Sequence, residues 1–248
     1  MIKIIYEDDD VIAIDKPSGI TVNKAETTKG QVTVQEWAEE RLQIANGKLQ
    51  TPIKSGHIEE QDNDFYIRGG IVHRLDKETS GILLIAKNPE SFIELQRQFK
   101  EREIKKTYIA LSHGSVTPLE GEINVPVGRL SWNRKQFGVV AGGREAITKY
   151  KVLSGKHYKF CKEYLTLLEL YPETGRTHQI RVHLKYIGHP IFADFLYAGR
   201  ITQRNDRKKL SRVFLHAKQI KFLHPKTKKS ITIESQLPIE LDNIITSE

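Results

Sequence analysis

The chain has 248 residues, 38% of them apolar and 28% charged, which is enough to bury a sizeable core and excludes global disorder. A single cysteine, Cys161, excludes an internal disulfide framework and any multi-cysteine zinc site. The net charge of +8 is uneven: residues 1–64 hold 7 basic and 13 acidic residues (−6), while residues 65–248 hold 32 and 18 (+14), a balance that attracts polyanions unless it is plain solubility charge.

Met1–Tyr6 leads straight into acidic residues 7–10 without the apolar core of a signal peptide, and no run approaches the ~20 apolar residues of a membrane helix. A cytoplasmic setting is therefore expected. Ile2–Tyr6 and Val11–Asp15 are β-branched runs and read as two strands joined by a tight acidic turn. Thr33 and Glu36 form a capping box, and Val34, Trp37, Ala38, Leu42 and Ala45 follow at helical spacing up to Asn46-Gly47. Residues 48–69 are polar and aperiodic and read as a surface loop. Gly81–Lys87 is short and apolar, as a buried strand is, and Asn88-Pro89 opens a helix with Phe92, Leu95 and Phe99 inward. Thr107–His113, Ala146–Leu153 and Tyr164–Tyr171 are further strands, the last two joined by a Gly/Lys turn. Thr177–Ile187 reads as a helix that Thr177 caps and Gly188 ends, and residues 200–212 as a basic loop whose 205–210 stretch reads first as solvated and second as a substrate-specific insertion. Gln219–His224 and Ser230–Glu234 make a hairpin. Strands dominate without regular strand–helix alternation, which favours an α+β fold with a mixed or mainly antiparallel sheet.

Three segments hold candidate chemistry. Asp76 sits in a polar loop with His73, Arg74 and Lys77, which can be cationic, and a carboxylate so placed stays ionised. From the residues alone, Asp76 and Thr79 read first as turn formers and second as catalytic. Arg176 and Arg181 are five apart, about 500° of helical rotation, so one is able to face a reacting centre and the other phosphate. Two solvated arginines are the simpler reading. His178 and His183 share that spacing with no acidic residue to complete a metal set. Tyr108 follows Lys105-Lys106 and is suited to stacking on an extruded base, or to a place in the core. No P-loop, G-x-S-x-G or H-E-x-x-H occurs.

The string His73-Arg74-Leu75-Asp76-Lys77-Glu78-Thr79-Ser80-Gly81, followed by Ile82–Asn88, resembles the signature of the RluA family of pseudouridine synthases. Asp15–Gly19 with Thr21–Asn23 is similar to the family's opening motif, Lys106–Ala110 to its tyrosine strand and Gly175–Leu184 to its arginine helix. Pro126–Arg129 and Ala146–Thr148 match weaker patterns. His189–Asp194 with Tyr197, then Leu215–Ala217 and His224-Pro225, complete a series over residues 5–235. The resemblance implies one pseudouridine synthase-like catalytic domain over 1–248, with a mixed, largely antiparallel central sheet and flanking helices. It implies isomerisation of uridine to pseudouridine in rRNA or tRNA, with no metal, nucleotide or other organic cofactor. It places the catalytic carboxylate at Asp76, the base-stacking ring at Tyr108 and the carboxylate's ion-pair partner at Arg181. Arg74 would fill the gap left by the flipped uridine and Leu184 would pack near the base. Arg176 and His73 are further substrate-binding candidates. Family proposals have the carboxylate attack C1′, abstract the 2′ proton, or add to uracil C6.

Larger family members carry an N-terminal S4 RNA-binding domain. Here the first motif begins almost at Met1, so a stand-alone monomeric domain is expected. It would choose RNA through residues 48–69, the basic helix 97–106 and the loop 200–212. The competing reading is a non-catalytic RNA-binding or chaperone protein in which Asp76 serves only its turn. A hydrolase using one Asp would need a second carboxylate, for which Glu78 alone is close in sequence.

Overall fold

The computed structural model describes residues 2–45, 48–49, 60–134, 136–158 and 163–246. They divide into two units, Met1–Ile104 with Ile220–Ser235 and Lys105–Gln219 with Gln236–Glu248.

In the first unit β1 (Lys3–Glu7) and β2 (Val11–Lys16) pair antiparallel across the acidic turn, where the Asp8 carboxylate accepts the Asp10 and Val11 N–H groups at 2.8 Å each. Thr33 and Glu36 cap α1 (Val34–Arg41) reciprocally, as the sequence predicts. The helix stops well before Asn46 because Gln43 turns to φ +55 and leads into a small hairpin, β3 (Ile44–Ala45) with β4 (Lys48–Leu49). Trp37, expected inward, is half-buried beside the Arg41 guanidinium, 5.9 Å from its ring. The expected loop 48–69 contains a helix, α2 (Glu60–Arg68), because Phe65 stacks edge-on against Phe92 at 5.9 Å and buries with Tyr66. Residues 50–59 of that loop lie outside the described residues.

β5 (Ser80–Ala86) is buried along its whole length and pairs antiparallel with β2. Asn88 caps α3 (Pro89–Lys100), its side chain accepting the Ser91 N–H at 2.8 Å. Phe92 and Leu95 carry that helix into the core of the unit, each buried side chain contributing about 2 kcal/mol.

In the second unit β6 (Lys105–His113) pairs with β11, β11 with β10 and β10 with β7, all antiparallel, where β7 is Glu120–Asn124, β10 Ile147–Tyr158 and β11 Glu163–Pro172. β8 (Val127–Arg129) and β9 (Phe137–Val139) form a separate hairpin. The Gly/Lys turn expected after Leu153 is strand instead. Gly155 pairs with Thr166, and a Cβ there would lie 2.6 Å from the Tyr164 hydroxyl, so glycine makes room for that ring. α4 (Gln179–Tyr186) and α5 (Arg200–Asp206) follow, the latter replacing half of the expected basic loop. β12 (Leu215–Leu223) begins in this unit and ends in the first, where β13 (Ser230–Glu234) belongs. α6 (Ile239–Thr246) returns Leu241 and Ile244 to the second unit's core.

The fold is α+β, as expected, and the strand pairs described above are antiparallel, with six α-helices among the described residues. Among those residues no helix is long and apolar enough to cross a membrane, a statement about helices alone.

Candidate active site

Asp76 is half-buried in the loop before β5. Its carbonyl accepts the Thr79 N–H at 3.1 Å, closing a turn over Lys77 and Glu78. The turn therefore uses the Asp76 backbone carbonyl. The opening segment braces this turn. The fully buried Lys16 ammonium donates to the carbonyls of Pro17 (3.0 Å), Ile20 (2.9 Å) and Lys77 (3.1 Å). Gly19, at φ +90, adds its N–H to the Lys77 carbonyl at 2.8 Å, and the Ser18 hydroxyl donates to the Glu78 carbonyl at 2.9 Å. The resemblance to a family opening motif thus has a physical content: that motif grips the backbone beside Asp76.

Thr79 is buried, and its hydroxyl has no hydrogen-bond partner among the described residues. His73 Nε2 accepts the Leu84 N–H at 2.9 Å and its ring lies 4.7 Å from that of Phe99. The sequence allowed a cation at His73, and an imidazole that accepts at Nε2 is neutral. Arg74 is exposed. A cavity of about 760 Å³ beside α3, lined by Val72, Ile93 and Phe99 among others, contains none of these candidate residues.

In the second unit Tyr108 is half-buried on β6, opposite Leu170. Lys106, two residues earlier and so on the same strand face, donates Nζ to the Thr174 carbonyl at 3.3 Å. Burial, with a smaller push from Lys105, lowers the Lys106 pKa to about 8. The start of α4 differs from expectation. His178, at φ +57, occupies the cap position and makes no side-chain cap bond. Gln179 organises the turn instead. Its Oε1 accepts the Arg176 N–H (3.0 Å) and the Thr174 hydroxyl (2.6 Å), and its Nε2 donates to the Ile147 carbonyl (2.9 Å) and the Thr148 hydroxyl (3.0 Å).

Arg181 is buried and forks onto Asp194, Nε to Oδ2 at 2.7 Å and Nη2 to Oδ1 at 2.8 Å. Asp194 is itself fully buried and accepts the N–H groups of Leu196 (2.9 Å) and Tyr197 (3.2 Å). The Tyr197 ring lies 5.0 Å from the guanidinium carbon. Asp194 is the residue to which sequence reasoning gave no role. The available signal was that a buried arginine requires a carboxylate, but the thirteen-residue separation hid which one.

The residue before it, Ala193, has φ +59, a conformation that costs an L-residue ~1–2 kcal/mol. Two bonds hold it there: its N–H donates to Asp206 Oδ2 at 3.0 Å and its carbonyl accepts Arg207 Nε at 2.8 Å. Asp206 also meets His113 Nε2 at 2.9 Å, while His113 Nδ1 meets Glu163 at 2.8 Å. Burial disfavours the His113 cation, yet Asp206 and Glu163 outweigh it and raise the pKa. The 205–210 stretch, read as solvated, thus buries Asp206 and Leu210.

Arg176 precedes α4 and donates Nε to the Glu145 carbonyl at 2.9 Å, in surroundings distinct from those of Arg181. Leu184 is fully buried in the unit's core. His183 is buried between the Thr148 hydroxyl (3.0 Å) and the Val125 carbonyl (3.2 Å), and burial lowers its pKa. Arg97, expected to give α3 a basic face, is engaged by Glu94, Glu101 and Glu103. The candidates therefore gather as His73, Arg74 and Asp76 on one loop of the first unit, and Tyr108, Arg181 and Leu184 on β6 and α4 of the second.

Asp8, Asp10 and His224 are close enough to suit a cation. Hydrogen bonds account for them. His224 Nδ1 accepts the N–H groups of Lys226 (3.2 Å) and Thr227 (3.1 Å), so Nε2 carries the proton and donates to Asp8 at 2.9 Å. Asp10 accepts from Asn88 (3.0 Å) and Ser91 (3.2 Å).

A family model described as RNA pseudouridylate synthase matches residues 10–186. The chain is 35% identical to ribosomal large subunit pseudouridine synthase D of Neisseria meningitidis serogroup B, across 98% of this chain and 60% of that protein. It is 35% identical to the RNA pseudouridine synthase YhcT of Bacillus subtilis, across 97% of this chain and 70% of that one. The chain thus spans between three fifths and three quarters of the length of these relatives. Human RNA pseudouridylate synthase domain containing 1 superposes with a TM-score of 0.72 at 25% identity, covering 98% of this chain and 87% of that one.

Proposed function

The chain belongs to the RNA pseudouridylate synthase family, and from that premise we propose that it isomerises uridine to pseudouridine in structured RNA with Asp76 as the catalytic carboxylate. The observation that carries the reading is the braced turn at Asp76. Six hydrogen bonds fix that turn and the opening segment against it, through the carbonyls of Asp76, Lys77 and Glu78 and the donors of Lys16, Ser18, Gly19 and Thr79. A carboxylate on a backbone fixed in this way is preorganised for chemistry on a bound base.

The reaction breaks N1–C1′, turns the uracil and joins C5 to C1′. The uridine first leaves its stack, at a cost of a few kcal/mol that Tyr108 offsets by stacking. Arg181, oriented by its fork onto Asp194, is assigned as charge partner of the reacting carboxylate. Arg74, exposed and cationic, is assigned to the gap in the RNA, and Arg176 to phosphate. His73 supports the loop through Leu84, and Leu184 supports α4 from the core. No metal or organic cofactor enters this scheme. The relatives' names point to ribosomal RNA, with tRNA as the second substrate class. A monomer acting in the cytoplasm completes the proposal.

Tritium release from RNA labelled at uracil C5 tests it, with unmodified ribosomal RNA and total tRNA assayed separately. Wild type is expected to release label from at least one. Asp76→Asn should abolish release while keeping RNA affinity. Tight RNA binding with no release from either RNA would instead favour the non-catalytic RNA-binding reading.

A further inference from the structure

The β8–β9 hairpin ends in a seven-residue loop, 130–136, that no assigned role explains. Its root is anchored beside the arginine helix. The Phe137 N–H donates to the Tyr197 hydroxyl at 3.0 Å, the Phe137 ring meets His178 edge-on at 5.5 Å, and Gln136 Nε2 donates to the Leu196 carbonyl at 2.8 Å. The loop is also held internally. Leu130 N–H donates to the Gln136 carbonyl at 3.0 Å, and Gln136 N–H to the Asn133 carbonyl at 2.9 Å. Arg129 lies 4.9 Å from the Phe137 ring and reaches across to the Arg134 carbonyl at 2.7 Å.

At the tip of this bonded loop Trp132 is 79% exposed. Tryptophan is usually well buried, and an indole on a flexible loop would be unremarkable; this loop is neither apolar-packed at its tip nor loosely tethered. The sequence of the hairpin and its flanks is basic. Residues 126–144 contain Arg129, Arg134, Lys135 and Arg144 and no acidic residue. An exposed ring on a rooted arm that carries Arg129 and Arg134 matches the chemistry of an unpaired nucleotide: a π-face for the base and guanidinium groups for its phosphates. An apolar protein partner would find the cations unmatched, and a fully paired duplex would offer the ring no base face.

We propose that the β8–β9 hairpin is an RNA-docking arm on which Trp132 stacks against an unpaired base of the substrate RNA, outside the reacting nucleotide. The inference rests on the RNA-directed reading above, and adds to it the element that recognises single-stranded character next to the target. It assigns to recognition a segment absent from the surfaces that the sequence suggested.

The chain has two tryptophans, Trp37 and Trp132, so Trp37→Phe leaves Trp132 as the single indole reporter. In that background, a mixed-sequence single-stranded RNA should quench the emission saturably, and its fully paired duplex should not. Trp132→Ala should weaken single-strand binding by roughly tenfold, the loss of one stacked base. Trp132→Phe should restore part of the affinity, and thermal unfolding should match wild type for both. In the tritium assay the Trp132→Ala loss should fall on KM rather than kcat. Saturable RNA binding without quenching, equal quenching by duplex, no RNA binding at all, or unchanged affinity in Trp132→Ala would each overturn the proposal. Wild-type tritium release with unchanged Trp132→Ala kinetics would sink the arm and leave the synthase reading intact. Quenching without release from any RNA would do the reverse.

Discussion

A lysine without accessible surface is costly unless its three N–H groups find acceptors, and Lys16 finds three carbonyls, one of them at Lys77. Lys16→Met should therefore lower stability by about 2 kcal/mol, read as a fall in Tm, because three part-buried carbonyls lose a charged donor. Its kcat should fall as well, since the turn beside Asp76 loses its brace. Thr79 makes the opposite case. Its buried hydroxyl bonds to nothing described, so Thr79→Val should leave Tm unchanged or raise it. If that orphan group serves the bound substrate, as orphans near reacting centres do, kcat drops at the same time. A drop in Tm with unaltered kcat would show the hydroxyl to be structural. The sequence exposed Asp76 through its nine-residue setting, but it could not expose Lys16 or Asp194. The Lys77 carbonyl lies 61 residues from Lys16 and Arg181 lies 13 from Asp194, and each side chain is ordinary until its burial is known.

α5 illustrates why elements were less legible than residues. Its composition is that of a solvated loop, yet Asp206 turns inward to join His113 and the Ala193 N–H. The other misplaced ends have equally local causes: Gln43 at positive φ stops α1 early, Gly155 lets β10 continue, and the buried Phe65 and Tyr66 convert part of a polar stretch into α2. Elements with a cap or an uninterrupted apolar run, such as α3 and β5, were readable because their signals are contained within the element. The His113 clasp sets a pH dependence. The unfolded imidazole titrates near ~6.5 and the folded one above it, so the clasp contributes fully below that pH and is lost as pH rises through the folded value. His183 acts oppositely: burial lowers it, and its share is lost as pH falls below ~6.5 through its folded value. Thermal unfolding across pH should show both declines, and His113→Gln should flatten the alkaline one. Asp206→Ala should cost about 3–5 kcal/mol, the cost of breaking a buried pair, and a Tm within a degree of wild type would refute the clasp.

At the scale of the molecule, the +14 carried by residues 65–248 makes RNA affinity a matter of counterion release. The logarithm of the binding constant should fall linearly with the logarithm of salt concentration. Asp76→Asn and Trp132→Ala should keep that slope, because neither removes a phosphate contact, whereas Arg134→Ala should make it shallower. The division of the chain carries a separate implication. The first unit takes Ile220, Phe222 and Ile233 into its core, its α3 residue Gln98 exchanges bonds with Leu223 at 2.8 and 3.0 Å, and Asp8 is bonded by His224. The second unit takes the first part of β12 and, from α6, Leu241 and Ile244. During synthesis, therefore, the segment holding Asp76 is made long before Ile220–Ser235, which complete its unit, and the second unit likewise waits for α6. The loop that bears the proposed chemistry thus belongs to a unit that closes only once residues 220–235 have been made, which ties the onset of activity to that segment rather than to the one that holds Asp76.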